Sequence, residues 1–233
     1  MGHEPENTLR SVVKAMALGA PCVEIDVHLV GQQVVVIHDS QLERTTNGHG
    51  LLTDHSYLEL RTLDAGCGEK IPTLSEVCAA VHPSTCLNIE LKGPGTAAPV
   101  AAQIELLIRS GWRYEALLVS SFDHNELAAI RRLNEHILVG VLLDHQADTM
   151  RQQCDHLAAY SVHARFQEID AAFVKYWHER GQKIFAYTVN DADDLGRMHE
   201  LGVDGVFTNF PEKVVENYDQ GPSVTSWIER TSV

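Results

Sequence analysis

Apolar runs of strand length recur along this chain with helix-length segments between them, and from Glu90 onward they return at roughly 20–30-residue intervals. That beat restricts the fold sharply. Two parallel neighbours need a crossover of a dozen or more residues, usually a helix, whereas antiparallel neighbours need only a tight turn. A chain with this spacing builds a mostly parallel sheet covered by helices. Strands are expected at 22–30, 34–38, 86–92, 116–122, 137–143, 159–164, 183–190 and 203–208, and helices at 7–18, 57–63, 74–82, 96–110, 124–134, 146–155, 170–180, 192–200 and 212–218. Thr73 followed by Glu76 is a capping-box pattern. Asp123 and Asn190-Asp191 are placed to cap the helices that follow them. Gly111, Gly181 and Gly202 each stand where a helix should close through a left-handed residue.

One connection breaks the beat. Little more than Gly31-Gln32 separates strand 22–30 from strand 34–38, so the second strand must return antiparallel as a hairpin. A turn centred there pairs position i with about 63−i, which sets His38 opposite Ile25, between Glu24 and Asp26. Without the returning strand, seven parallel strands remain, one fewer than a closed (β/α)8 barrel needs. Met1 to Glu6 is too polar and short for the eighth, and the tail Ser223-Val-Thr-Ser-Trp-Ile is a poor substitute. The 233 residues, 44% hydrophobic, fit one domain spanning 1–233.

The same strands carry the chemistry. Glu24 and Asp26 lie in Cys22-Val-Glu-Ile-Asp-Val, and Glu90 in Cys86-Leu-Asn-Ile-Glu-Leu-Lys92. Positions i and i+2 share a face, and an ionised carboxylate is too costly to bury alone. Two acids on one strand face and a third from another strand make an oxygen-rich cluster suited to a hard divalent cation, Mg2+ or Ca2+. The hairpin brings His38 back to the same level, which suits acid/base work. Lys92 beside that site is open to three readings: a solvated strand end, a counter-ion for Glu90, or a contact for an anionic substrate. Tyr187 and Asn190 fall at the C-terminal end of a strand, where site lining and helix capping are both open. Thr45-Thr-Asn-Gly48 reads as a turn.

Charge and cysteines narrow the class. With 18 Lys+Arg against 32 Asp+Glu the formal charge is −14, so neither nucleic acid nor stable association with an anionic membrane is expected. Five scattered cysteines with no C-x-x-C suggest a reduced, cytoplasmic protein. No signal peptide or membrane-spanning run is read from the sequence. A homo-oligomer stays open.

Ten segments in order complete the reading: Pro5-Glu-Asn-Thr-Leu, Gly19-Ala, Val23-Glu-Ile-Asp-Val, Val35-Val-Ile-His-Asp39, Leu42-Glu-Arg-Thr-Thr-Asn-Gly48, Ile71-Pro-Thr-Leu-Ser-Glu, Asn88-Ile-Glu-Leu-Lys92, Ser120-Ser-Phe, Tyr187-Thr-Val-Asn190 and Gly202-Val-Asp-Gly-Val-Phe-Thr-Asn-Phe-Pro211. In this order the chain resembles the glycerophosphodiester phosphodiesterase family from residue 5 to 211. The resemblance implies a TIM barrel that hydrolyses glycerophosphodiesters to glycerol 3-phosphate and an alcohol. By that likeness Glu24, Asp26 and Glu90 match divalent-metal ligands, His38 one of two acid/base histidines, and Lys92 a phosphate-holding residue. The family also carries a His-Arg-Gly on the first strand, upstream of Pro-Glu-Asn-Thr, and this chain begins at Met1-Gly-His-Glu-Pro. The absent motif and the absent strand are one deficit. A start assigned too far downstream, a shortened paralogue, or His3 standing in for the lost histidine would each account for it; the loop position of His3 argues against the last. The expected structure is a barrel lacking its first strand and open between strands 22–30 and 203–208, with bare edges there and the site residues still grouped. The rival readings are an impaired or non-catalytic binder of metal or phosphodiester and a phospholipase D-like relative; the latter would want an apolar rim that the sequence lacks.

Overall fold

A computed structural model describes residues 2–144 and 154–218. Eight strands form one curled sheet in the order β2-β1-β3-β4-β5-β6-β7-β8. They are β1 (Cys22–Val30), β2 (Gln33–Val36), β3 (Cys86–Leu91), β4 (Leu117–Ser121), β5 (Leu138–Leu142), β6 (Ser161–Arg165), β7 (Lys183–Tyr187) and β8 (Gly205–Val206). All neighbouring pairs are parallel except β1 and β2. The helices are α1 (Leu9–Ala17), α2 (Tyr57–Leu60), α3 (Leu74–Ala80), α4 (Ala97–Arg109), α5 (His124–Leu133), α6 (Ala171–His178), α7 (Ala192–Leu201) and α8 (Pro211–Tyr218). The helix expected at 146–155 lies outside the described residues except for its last two positions, which are helical, and the tail from Ser223 lies outside them altogether.

The hairpin register is the one the turn dictates: Val27 pairs with Val36 and Val30 with Gln33. The Ile37 amide donates to the Asp26 carbonyl at 2.9 Å, so the pairing runs on past β2 towards His38. Alternation along β1 and β3 sorts their two faces. Val23, Ile25, Val27, Leu87, Ile89 and Leu91 enter the main core with Val100, Ile104, Leu127 and Ile130 of the covering helices. Burying each such side chain is worth about 1.5–3 kcal/mol. Glu24, Asp26, Asn88 and Glu90 are left on the opposite face. A smaller cluster of Val30, Val35, Ile37, Leu42, Leu52, Leu60 and Ile71 fixes the long connection between β2 and α3 onto the hairpin.

Local signals hold at most ends. Thr73 and Glu76 form the reciprocal capping box at α3. Asp123 accepts the Asn125 amide at α5. Gly202 closes α7 at φ +79, a conformation open to glycine at little cost. The helix expected from 7 begins at Leu9, because Thr8 is itself the N-cap, in a box with Ser11. Asp191 departs from expectation and makes no side-chain cap bond. The strand expected at 203–208 shortens to two residues.

No strand pairing joins β8 to β1 among the described residues, so the sheet is open there as its strand count requires. The edges are less bare than expected. On the β1 side, β2 already covers Val27–Val30. The irregular segment 2–8 lies along the opening. His3 meets Glu212 at 2.8 Å and stands edge-on to Phe210, while Asn7 bonds Asp26 of β1. Gly2 packs so tightly on Asn209 and Phe210 that a β-carbon there has no room. Val203, Val206 and Phe207, beside the opening, are only half-buried, in agreement with an apolar lining that a further strand would cover.

Candidate active site

The parallel register sets the acids in rows. Glu24 faces Asn88 across β1 and β3, Asp26 faces Glu90, and Glu90 faces Ser120 of β4. Oxygens of Glu24, Asp26 and Glu90 all lie within 4.8 Å of one another. Asp26 and Glu90 are buried, and Glu24 Oε1 is sequestered without a hydrogen-bond partner. Burial, and then the charges of Asp26 and Glu90, push the Glu24 carboxyl well above the usual carboxylate range. Burial and Asp26 also raise Glu90, with Lys92 pulling the other way. Three hard oxygen donors close together, one with an oxygen that no protein group satisfies, fit a divalent cation such as Mg2+ or Ca2+.

Lys92 bridges the acids to the histidine. Its ammonium lies 2.9 Å from Glu90 Oε1, 3.8 Å from Asp26 Oδ1 and 3.2 Å from His38 Nε2. Burial lowers its pKa, but the charges of Glu90, Asp26 and Glu24 outweigh that and the net shift is upward, so the ammonium stays charged. His38, exposed at the rim, meets Asp39 Oδ1 through Nδ1 at 2.5 Å. A carboxylate only accepts, so Nδ1 donates, and Nε2 is left as the lone-pair nitrogen facing the ammonium. Arg44 donates to the same Asp39 from Nε at 2.5 Å and also makes two bonds to Glu6. The Arg44 bond, with help from His38, holds the Asp39 carboxyl down at about 2. The His28 ring bonds the His38 carbonyl at 3.1 Å and so braces the loop that carries the imidazole.

Tyr187 reaches the same rim through an aromatic pair. Its ring stands edge-on to Phe122, 6.2 Å away, and the Lys92 ammonium lies 5.8 Å from the Phe122 centroid. The Tyr187 hydroxyl donates to the Leu143 carbonyl at 2.9 Å. Asn190 is occupied elsewhere: its side-chain oxygen accepts from Thr208 and from the Asn209 amide. Thr45-Thr-Asn-Gly48 forms turns, with Thr46 and Asn47 bonded to neighbouring backbone.

Glu6, Asn7, Asp39, Arg44 and Phe122 all touch this constellation, yet no role is read for them from the sequence. The segments that hold them stand out, but their partners lie far off in the chain, 38 positions between Arg44 and Glu6 and further still between Phe122 and Tyr187. Asn88 is buried with both amide atoms unpartnered, as is the Ser120 hydroxyl, directly beside the acid rows.

The curled, mostly parallel sheet with its covering helices is of the TIM-barrel type, and the acids lie together on its interior face. Residues 2–213 match the glycerophosphoryl diester phosphodiesterase family. The chain is 34% identical over 229 positions to a glycerophosphodiester phosphodiesterase of Caldanaerobacter subterraneus, covering 93% of each. It is 36% identical to one of Bacillus altitudinis, covering 92% of this chain and 93% of that one. A phosphodiesterase of Oleispira antarctica, solved in complex with the product sn-glycerol-3-phosphate, superposes with a TM-score of 0.86 at 32% identity over 94% of this chain and 93% of that one. The chain belongs to the glycerophosphoryl diester phosphodiesterase family. No helix of the described residues is long and apolar enough to cross a membrane.

Proposed function

We propose that this protein hydrolyses small glycerophosphodiesters to sn-glycerol 3-phosphate and an alcohol, with a divalent cation held by Glu24, Asp26 and Glu90. The observation that carries the reading is the acid triad around one half-buried ammonium. Three carboxylates against Lys92 leave the site net negative, so a phosphodiester anion would be repelled unless a dication balances the charge. When bound, such an ion supplies Lewis-acid stabilisation of a phosphoryl oxygen. Lys92 adds a positive charge at the same rim for the developing anionic transition state. His38 Nε2 is the proton acceptor for the attacking hydroxyl, a water or the glycerol's own, or in protonated form the donor to the leaving alcohol. The Phe122–Tyr187 pair forms an apolar wall for the carbon skeleton.

The engagement of the His38 imidazole by Lys92 favours a second reading, in which the chain binds metal and diester but turns over slowly. One assay separates them. Purified protein is incubated with glycerophosphocholine, with Mg2+ or Ca2+, and glycerol 3-phosphate is followed with and without EDTA. Release that EDTA abolishes supports the hydrolase. Saturable binding of ion and diester without product supports the second reading, and neither binding nor product sinks both.

A further inference from the structure

The dipeptide Glu6-Asn7 reaches both halves of the site. Asn7 clamps Asp26 twice: its Nδ2 donates to Asp26 Oδ2 at 2.8 Å, and its Oδ1 accepts the Asp26 backbone amide at 3.0 Å. The first bond leaves Asp26 Oδ1 turned towards Lys92, 3.8 Å away. The preceding residue serves the other half. Glu6, largely buried, takes Arg44 in a two-pronged pair at 2.9 and 2.6 Å, and Arg44 in turn grips Asp39, the carboxylate that sets the His38 ring. An independent observation is the backbone at Asn7, which holds φ +55, a left-handed conformation that a non-glycine residue adopts at some cost. Such outliers persist where the surroundings over-determine them. Here the strained turn points successive side chains at two different targets, and the capped start of α1 at Thr8 anchors it from behind.

We infer that Glu6 and Asn7 are positioning residues that couple the metal-binding carboxylate Asp26 to the acid/base histidine His38 from one rigid turn. Asn7 presents Asp26 to a cation, and Glu6, acting through Arg44 and Asp39, fixes the orientation of the His38 ring and keeps Nε2 the lone-pair nitrogen that faces Lys92. Neither residue needs to touch substrate. This inference rests on the proposed hydrolase reading for its kinetic part alone.

Two variants test the two arms. Asn7→Gly relieves the backbone strain and removes only the side-chain clamp, so the fold should be kept. Calorimetric titration with Mg2+ or Ca2+ alone is expected to show affinity lower by about 10–100-fold, the usual cost of losing an outer partner of a metal ligand. The melting-temperature rise produced by a fixed ion concentration should shrink accordingly. Glu6→Gln should leave ion affinity within about twofold of the parent while kcat falls by about 10–100-fold at unchanged KM. Imidazole 15N shifts of His38 should move away from the pattern of a single Nδ1–H tautomer, and Glu6→Asp should restore part of it. Unaltered ion affinity in Asn7→Gly, or an unaltered His38 tautomer in Glu6→Gln, overturns the inference and leaves the turn as a brace for the open edge. If the parent protein cleaves no diester, the hydrolase reading fails, and the titration and the NMR spectra still decide this one.

Discussion

The two halves of the curled sheet use one pattern to opposite ends. On β1 and β3 the interior face carries Glu24, Asp26, Asn88 and Glu90, with the Glu24 Oε1 and both Asn88 amide atoms buried and unpartnered. On β6–β8 the same face carries packing. The His163 ring lies 5.3 Å from Phe185 and 5.1 Å from Phe207, with Ser161 bonded to its Nε2 at 2.9 Å. Alternation gives every strand one interior face, and both sides of this interior hold an unpartnered polar atom, His163 Nδ1 on one and Glu24 Oε1 on the other, but carboxylates cluster only on β1 and β3. Unpaired buried carboxylates destabilise the empty fold, whereas aromatic contacts contribute about 0.5–1.5 kcal/mol each beyond burial. The comparison teaches that the site half is poised for a ligand and the aromatic half supports it.

The sharpest way to break that contrast is Glu24→Gln. It should remove the rise in melting temperature given by millimolar Mg2+ or Ca2+ and lower kcat/KM on the order of 10³-fold, the equivalent of the several kcal/mol a metal supplies. Without added ion the variant should melt above the parent, since it removes a buried carboxyl whose ionisation burial and two neighbouring carboxylates oppose. A lower melting point for the metal-free variant would mean that the acids are stabilising and the contrast is wrong.

His38→Ala comes next, with an expected loss of about 10²–10⁴ in kcat, the usual contribution of a positioned acid or base. Its stability should be unchanged, because the ring sits exposed at the rim. A loss under tenfold would assign His38 a structural role only.

In the aromatic half the signature reverses. Phe185→Ala should cost about 3 kcal/mol in denaturant unfolding, while ion affinity measured by calorimetry stays as in the parent. Weaker ion binding would show that the two halves are not separable.

The smallest effect is a dependence on acidity. Burial holds His163 down at about 3 from its ordinary 6.5. Below pH 6.5 the unfolded chain takes up a proton that the folded chain refuses, so this contribution is full above 6.5 and is lost as pH falls towards 3. By pH 5 the loss from this residue is about 2 kcal/mol. His163→Asn should flatten the stability–pH curve over that window; an unchanged slope would place the acid sensitivity elsewhere.

Much of this was readable from residues alone. The βαβ spacing, the hairpin at Gly31-Gln32 and the Thr73 capping box are local, and local signals carry over directly into the structure. Two acids two positions apart on an apolar strand declare a shared face without any tertiary knowledge. The short count of parallel strands likewise anticipates the opening between β8 and β1. Asp191 takes the N-cap position of α7 but its side chain makes no cap bond, and the Asn190 carboxamide bonds Thr208 and the Asn209 amide instead of the helix, partners that no local window contains.

The sequence by itself therefore determined the class of fold, the strand on which each acid sits and the return of His38 to their level, because those depend on period and turn length. Only the tertiary structure decided that Glu90 would sit level with Asp26 and Lys92 between the acids and the imidazole. It alone also joined Glu6 to Arg44 and Asn7 to Asp26. Strand register and long-range ion pairs arise when the whole sheet and its covering helices pack at once, and no window of sequence contains both partners.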